Sequence, residues 1–144
     1  MGFTLPRPRP FAAALSLALF AASLACAQDP QTIAVQAAGR AWLGLVDAGD
    51  ALASWSDAGK KFQAAIAADV WAEALKKEQA RLGRVERRTV GPTRFQSSVQ
   101  GFPDGEYAQV LFNTEFANKP DGRETLTLEH EEDGKWRVIG YFPR

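Results

Sequence analysis

Past residue 28 the spacing of apolar side chains changes once, near Arg84. Before that point Ala34, Ala37, Ala38, Ala41, Trp42 and Leu45 recur at helical intervals. Such spacing puts them on one face of an amphipathic helix from about Thr32 to Ala48. Gly49 stands where a C-capping glycine belongs, and Asp50 is placed to N-cap a short helix running through Trp55. Asp57-Ala58-Gly59 interrupts the pattern, and Phe62 to Ile66 predicts another short turn or helix. Trp71, Ala74, Leu75 and Leu82 then predict a longer helix from about Asp69 to Leu82, closed by Gly83.

After Arg84 the period falls to two, the mark of strands with one buried face. Phe95, Ser97 and Val99 alternate with Arg94, Gln96 and Ser98, and Ala108, Val110, Phe112, Thr114 and Phe116 with a more polar set. Leu126 and Leu128 alternate with Thr125, Thr127 and Glu129. Trp136, Val138, Gly140 and Phe142 alternate with Arg137, Ile139 and Tyr141. Turn signals stand between these runs: Pro103-Asp104-Gly105, then Asn118 to Gly122, then Asp133-Gly134. Gly91-Pro92 divides an earlier edge segment, Val85 to Val90, from the first of these strands as a bend or bulge. Helices followed by an antiparallel meander predict an α+β fold, with the helices on one face of a curved four-stranded sheet. That element order is similar to the cystatin-like and nuclear transport factor 2-like folds, a likeness of architecture that carries no function.

The N-terminus reads differently. Arg7 and Arg9 form a positive region, Phe11 to Leu24 is uncharged and apolar, and Ala25-Cys26-Ala27 offers small residues before polar Gln28. These are the parts of a secretory signal in order, with cleavage after Ala27. The apolar run is shorter than the roughly 20 residues that span a bilayer. Cys26 opens an alternative, a lipoprotein anchored at that cysteine. Bacterial lipoproteins usually carry Leu three residues ahead of it; here Ser23 holds that place and Leu24 follows. Cleavage after Ala27 discards Cys26 and leaves residues 28–144 as a single cysteine-free α+β domain, periplasmic or secreted, held by its core and not by disulfides.

Without Arg7 and Arg9, the 17 basic residues become 15 against 17 acidic ones, a net charge near −2. That balance excludes a general nucleic-acid binder, which is strongly basic. All four tryptophans and both tyrosines lie beyond the leader, so aromatic packing is expected in the core.

Several stretches resemble one small bacterial family: Ala41-Trp42-Leu43, Asp47-Ala48-Gly49-Asp50, Ser54-Trp55, and Trp71 with Leu75. So do Pro103 to Tyr107, Phe116 to Lys119, and the closing Gly134 to Phe142. The family is the domain of unknown function 4019, and the resemblance covers most of residues 35–144. It implies a small exported α+β domain and no particular activity.

Candidate chemistry is sparse. His130 is the only histidine, so no pair or triad of histidines can hold a metal. Its acidic neighbours Glu129, Glu131, Glu132 and Asp133 read as a solvated turn, because alternation sends Glu129 and Glu131 away from His130. No metal or other cofactor is expected. Asp50 is the candidate general base if Trp42, Trp55, Phe112 and Trp136 line a ligand pocket; otherwise it is a helix cap among core aromatics. Ser97 and Ser98 lack a nucleophile-elbow context. Residues 76–94 carry seven basic side chains against two acidic, and residues 121–133 six acidic against one basic. Arg81, Arg84, Arg87 and Arg88 are thus a candidate basic patch for an anionic envelope component or protein partner. Leu111, Ile139 and Tyr141 fall on the sheet's second face, where they would form a half-apolar patch suited to a homodimer. The reading that follows is a non-catalytic binding or interaction module of the cell envelope. The alternative is a small-ligand enzyme with a carboxylate base in an aromatic pocket.

Overall fold

A computed structural model describes Met1 and residues 27–144. Residues 2–26 of the leader, with Cys26, lie outside the described residues. Four helices precede four strands: α1 Pro30–Asp47, α2 Ala51–Asp57, α3 Lys60–Ala65 and α4 Ala68–Leu82, then β1 Val85–Gln96, β2 Tyr107–Phe116, β3 Lys119–His130 and β4 Trp136–Pro143. The sheet is an antiparallel meander in the order β1-β2-β3-β4. The fold is α+β, as the change of period predicts.

α1 crosses the sheet and touches all four strands. Its buried stripe is Val35, Gly39, Trp42, Leu43 and Val46, with Gln36 beside it. This stripe is rotated from the expected one, and Ala34, Ala37 and Ala41 are exposed. The reason is size. Both sets keep helical spacing, but turning the larger side chains inward removes more apolar surface from water. Gly39 makes the approach possible, since a Cβ there would lie 3.1 Å from Leu126 Cδ1 and 3.6 Å from the Phe112 ring. α4 presents Trp71, Leu75 and Leu82 to the same core.

The core face of the sheet is Ala108, Val110 and Phe112 with Leu126, Leu128 and Val138. β1 is one strand with an extra residue at Gly91-Pro92, where its register against β2 shifts between Val90 and Thr93. Gln36 bridges this irregularity by donating to Thr93 Oγ1 at 3.0 Å. β1 stops at Gln96, so Ser97 and Val99 are not in a strand. Turn bonds replace the ladder there: Gly105 N donates to Ser97 O and Phe102 N to Val99 O.

One turn and one strand depart from the sequence reading. The β2–β3 connection is only Ala117-Asn118, and Pro120 to Gly122 belong to β3. Ala117 N bonds Arg84 O and Asn118 N bonds Leu82 O, which pins this turn to the α4–β1 junction. Gly122 is required by contact: its Cβ would stand 2.7 Å from Thr114 O and 2.6 Å from Phe116 Cδ2. β4 carries the second departure. Leu128 pairs with Val138 but Thr127 with Gly140, so Ile139 is the extra residue of a bulge. The bulge inverts alternation beyond it. Tyr141 therefore turns into the core, and Phe142 is left 57% exposed.

Candidate functional site: a buried carboxylate network beside a cleft

The residues singled out from the sequence do not converge on one pocket. Trp42 is a core residue whose indole N–H donates to Ser54 O at 2.8 Å. Trp55 donates to Ile66 O at 2.8 Å. Phe112 is fully buried beneath α1. Trp136 stands at the opposite end of the sheet, stacked against His130. Asp50 is exposed, and its carboxylate accepts from Ala53 N at 3.0 Å as the cap of α2.

Nor do the arginines form a single basic surface. Arg81 pairs with Glu78, Arg84 with Glu86, and Arg87 with Glu115. Strand alternation sends Arg88 inward, away from Arg87, to meet Asp47 and Glu124. The local excess of positive charge belongs to chain order. In space Asp47, Glu115 and Glu124 from other elements offset part of it, at Arg87 and Arg88. The predicted half-apolar outer patch is dissolved too, because Tyr141 is turned inward and Ile139 is packed against Gly59.

A different constellation lies deeper. Glu124, on the core face of β3 opposite Phe112, is completely buried. Its carboxylate accepts from Arg88 Nε at 2.7 Å, Arg88 Nη2 at 3.1 Å, Thr114 Oγ1 at 2.6 Å and Tyr141 Oη at 2.8 Å. Arg88 also forks onto both Asp47 oxygens, at 2.6 and 2.9 Å. The bulge in β4 is what brings Tyr141 here. Burial alone would lower the Arg88 pKa, but the bonds to Asp47 and Glu124 outweigh it and hold the guanidinium above the usual arginine value. Burial, and then the charge on Glu124, push the Tyr141 phenol well above its usual range. Among the described residues no buried side-chain nitrogen or oxygen is left without a partner.

The inward alternation of β3, extended back two residues from Leu126, was the available signal for Glu124. Nothing local pointed to its partners, which stand 10 to 36 positions away.

Tyr141 also lines a cleft of about 250 Å³ between α4, the end of α1 and the start of β1. Its apolar lining is Val46, Leu75, Leu82, Val85 and Phe116. Its polar side is Asp47, Glu78, Gln79 and Arg84. A wider depression of about 530 Å³ separates α3 from the β3–β4 turn. Five of its charged side chains are spent on one another, Lys61 with Glu129 and Arg137 with Glu131 and Asp133, while Lys60 and Glu132 line it without an ion pair among the described residues. Among the described residues no three His, Cys, Asp or Glu side chains are grouped to hold a metal ion.

The family model described as "Protein of unknown function (DUF4019)" matches residues 38–141. The chain belongs to this family. The matched span runs from α1 to β4 and takes in Asp47, Arg88, Thr114, Glu124 and Tyr141, so the whole network lies inside the family domain. No curated protein and no solved structure matches the chain. Among the described residues no helix is long and apolar enough to cross a membrane.

Proposed function

We propose that this member of the family is exported, is released after Ala27, and serves in the cell envelope as a non-catalytic binding module. Its ligand site is the cleft beside Tyr141, which takes a small apolar group carrying a polar or anionic end. What supports binding over catalysis is the state of the carboxylates. A general base needs a lone pair free for the proton it takes. The carboxylates that line the cleft are held by arginines, Asp47 by Arg88 and Glu78 by Arg81, while Glu124 already accepts four hydrogen bonds and Asp50 is an exposed cap. The cleft offers aliphatic side chains and the Phe116 ring below Arg84 and Gln79, the mixture found in small-ligand sites. Export is supported by the order of the leader: Arg7 and Arg9, then Phe11 to Leu24, then Ala25-Cys26-Ala27.

The test of the cleft is titration with anilinonaphthalene sulfonate, a small amphipathic anion that fluoresces in apolar surroundings. Saturable binding is expected. Glu78→Trp should abolish it by laying an indole over the mouth, while Asp50→Asn should leave it intact. Binding unaffected by Glu78→Trp rejects the cleft. Mass spectrometry of the exported protein tests release: Gln28 as first residue supports it, and a lipidated Cys26 overturns it.

A further inference from the structure

At the end of the sheet remote from that cleft lies a shallow, open groove of about 340 Å³, walled by Phe95 and Trp136 and edged by Gln31, Gln96, Ser97 and Glu106. Phe95 is 41% exposed on an edge strand, and its ring meets Trp136 edge-on at 6.0 Å. An apolar ring left in water at that position is unspent contact surface. Trp136 differs from the other tryptophans. The indoles of Trp42, Trp55 and Trp71 each donate to a protein acceptor, whereas among the described residues that of Trp136 has none.

The platform is also held rigid. His130 stacks on Trp136 at 4.9 Å, nearly parallel to it. Each nitrogen of His130 faces an acceptor, Nδ1 the Glu106 Oε2 and Nε2 the Gly134 O at 3.0 Å, so the ring donates from whichever nitrogen carries the proton. Because the ring is fixed before a ligand arrives, little side-chain freedom is lost on binding.

We infer that this groove binds a neutral oligosaccharide. The C–H face of a pyranose is apolar and flat enough to lie on an aromatic ring, while its rim of hydroxyls needs both donors and acceptors. The groove supplies the two requirements side by side. Phe95 offers its exposed ring, Trp136 stands edge-on beside it with a free N–H donor, and the side chains of Gln31, Gln96 and Ser97 both donate and accept. The open shape suits a chain that enters and leaves laterally, and among the described residues no basic side chain lines the groove to select a phosphate or carboxylate. This site is independent of the cleft beside Tyr141.

The test is titration of the purified full-length expression product with chitotetraose and, separately, maltotetraose, followed by amide and indole NMR shifts and by calorimetry. The expected result is saturable shifts at Phe95, Gln96, Ser97, Gly105, Glu106 and the Trp136 indole with at least one of the sugars. Phe95→Ala and Trp136→Ala should each weaken binding at least about tenfold, the loss of one aromatic partner. Trp136→Phe keeps a ring but removes the donor, and should fall between wild type and Trp136→Ala. Leu52→Ala, at an exposed apolar residue outside the groove, should bind as wild type. The inference is overturned by no shift with either sugar at millimolar concentration, by shifts confined to the cleft beside Tyr141, or by unchanged binding by Trp136→Ala. Sedimentation with phosphatidylglycerol vesicles that depends on Phe95 and Trp136, without sugar binding, also overturns it and makes the patch a lipid surface.

Discussion

Replacing Arg88 by Met gives the most demanding test of the buried network. The side chain keeps much of its aliphatic volume and loses the only positive charge among the described residues that is bonded to Glu124, a fully buried carboxylate. Thr114 and Tyr141 still donate to Glu124, but Asp47, deprived of the same guanidinium, remains as a second negative charge nearby. Breaking a buried ion pair on one side costs about 3–5 kcal/mol, because a desolvated charge is left uncompensated. For a domain of this size each kcal/mol lowers Tm by about 4 °C, so a fall of about 12–20 °C is expected. Urea denaturation followed by tryptophan fluorescence, with calorimetry, measures both quantities. Glu124→Gln on the Arg88→Met background removes the stranded charge and should recover a large part of the loss. Arg87→Met removes the exposed Arg87–Glu115 pair and should cost less than about 1 kcal/mol. If Arg88→Met costs no more than Arg87→Met, or if Glu124→Gln rescues nothing, Arg88 is not compensating a buried charge and the reasoning fails.

The bulge in β4 makes neighbouring aromatics unequal. Phe142→Ser should change stability by no more than about 0.5 kcal/mol, while Tyr141→Ala should cost about 3–5 kcal/mol; equal costs in denaturant melts would argue for an unbulged strand. The hydrogen bond from Arg137 lowers the Asp133 carboxyl from 3.8 to about 2. A lowered folded pKa gives a stability contribution that is complete above pH 3.8 and is lost as pH falls through about 2. Carboxyl-carbon NMR should therefore place the Asp133 midpoint near about 2, and Arg137→Gln should return it toward 3.8; an ordinary midpoint in the wild type rejects the pair in solution.

Local chemistry made some elements legible. Asp50 caps α2 because a short acceptor side chain reaches the amide three residues on, an event contained within one turn. Gly83, with φ of 78°, ends α4 for a reason held in one residue. Alternation in β2 was read correctly from Ala108 to Phe116 because that core-facing run is unbroken. β4 was inverted beyond Val138 because an alternating pattern contains no mark of an inserted residue. Apolar Phe142 and amphipathic Tyr141 satisfy either face until the pairing with β3 is known.

The sequence by itself determined the order of helices and strands, the positions of most breaks, and a family identity that spans the folded domain. Those features depend on side-chain size, period and backbone preference over a few residues. Tertiary structure alone decided the site. Glu124, Arg88, Asp47 and Tyr141 come from β3, β1, α1 and β4, and Arg87 and Arg88 find their counter-charges on other elements by their place in space. The same holds for the groove, where residues 31, 95, 106 and 136 meet at one end of the sheet. Coulomb and hydrogen-bond energies act over a few ångströms. Which groups come that close is settled by strand register and by the seat of α1, where Gly39 lets the helix rest on Phe112 and Leu126.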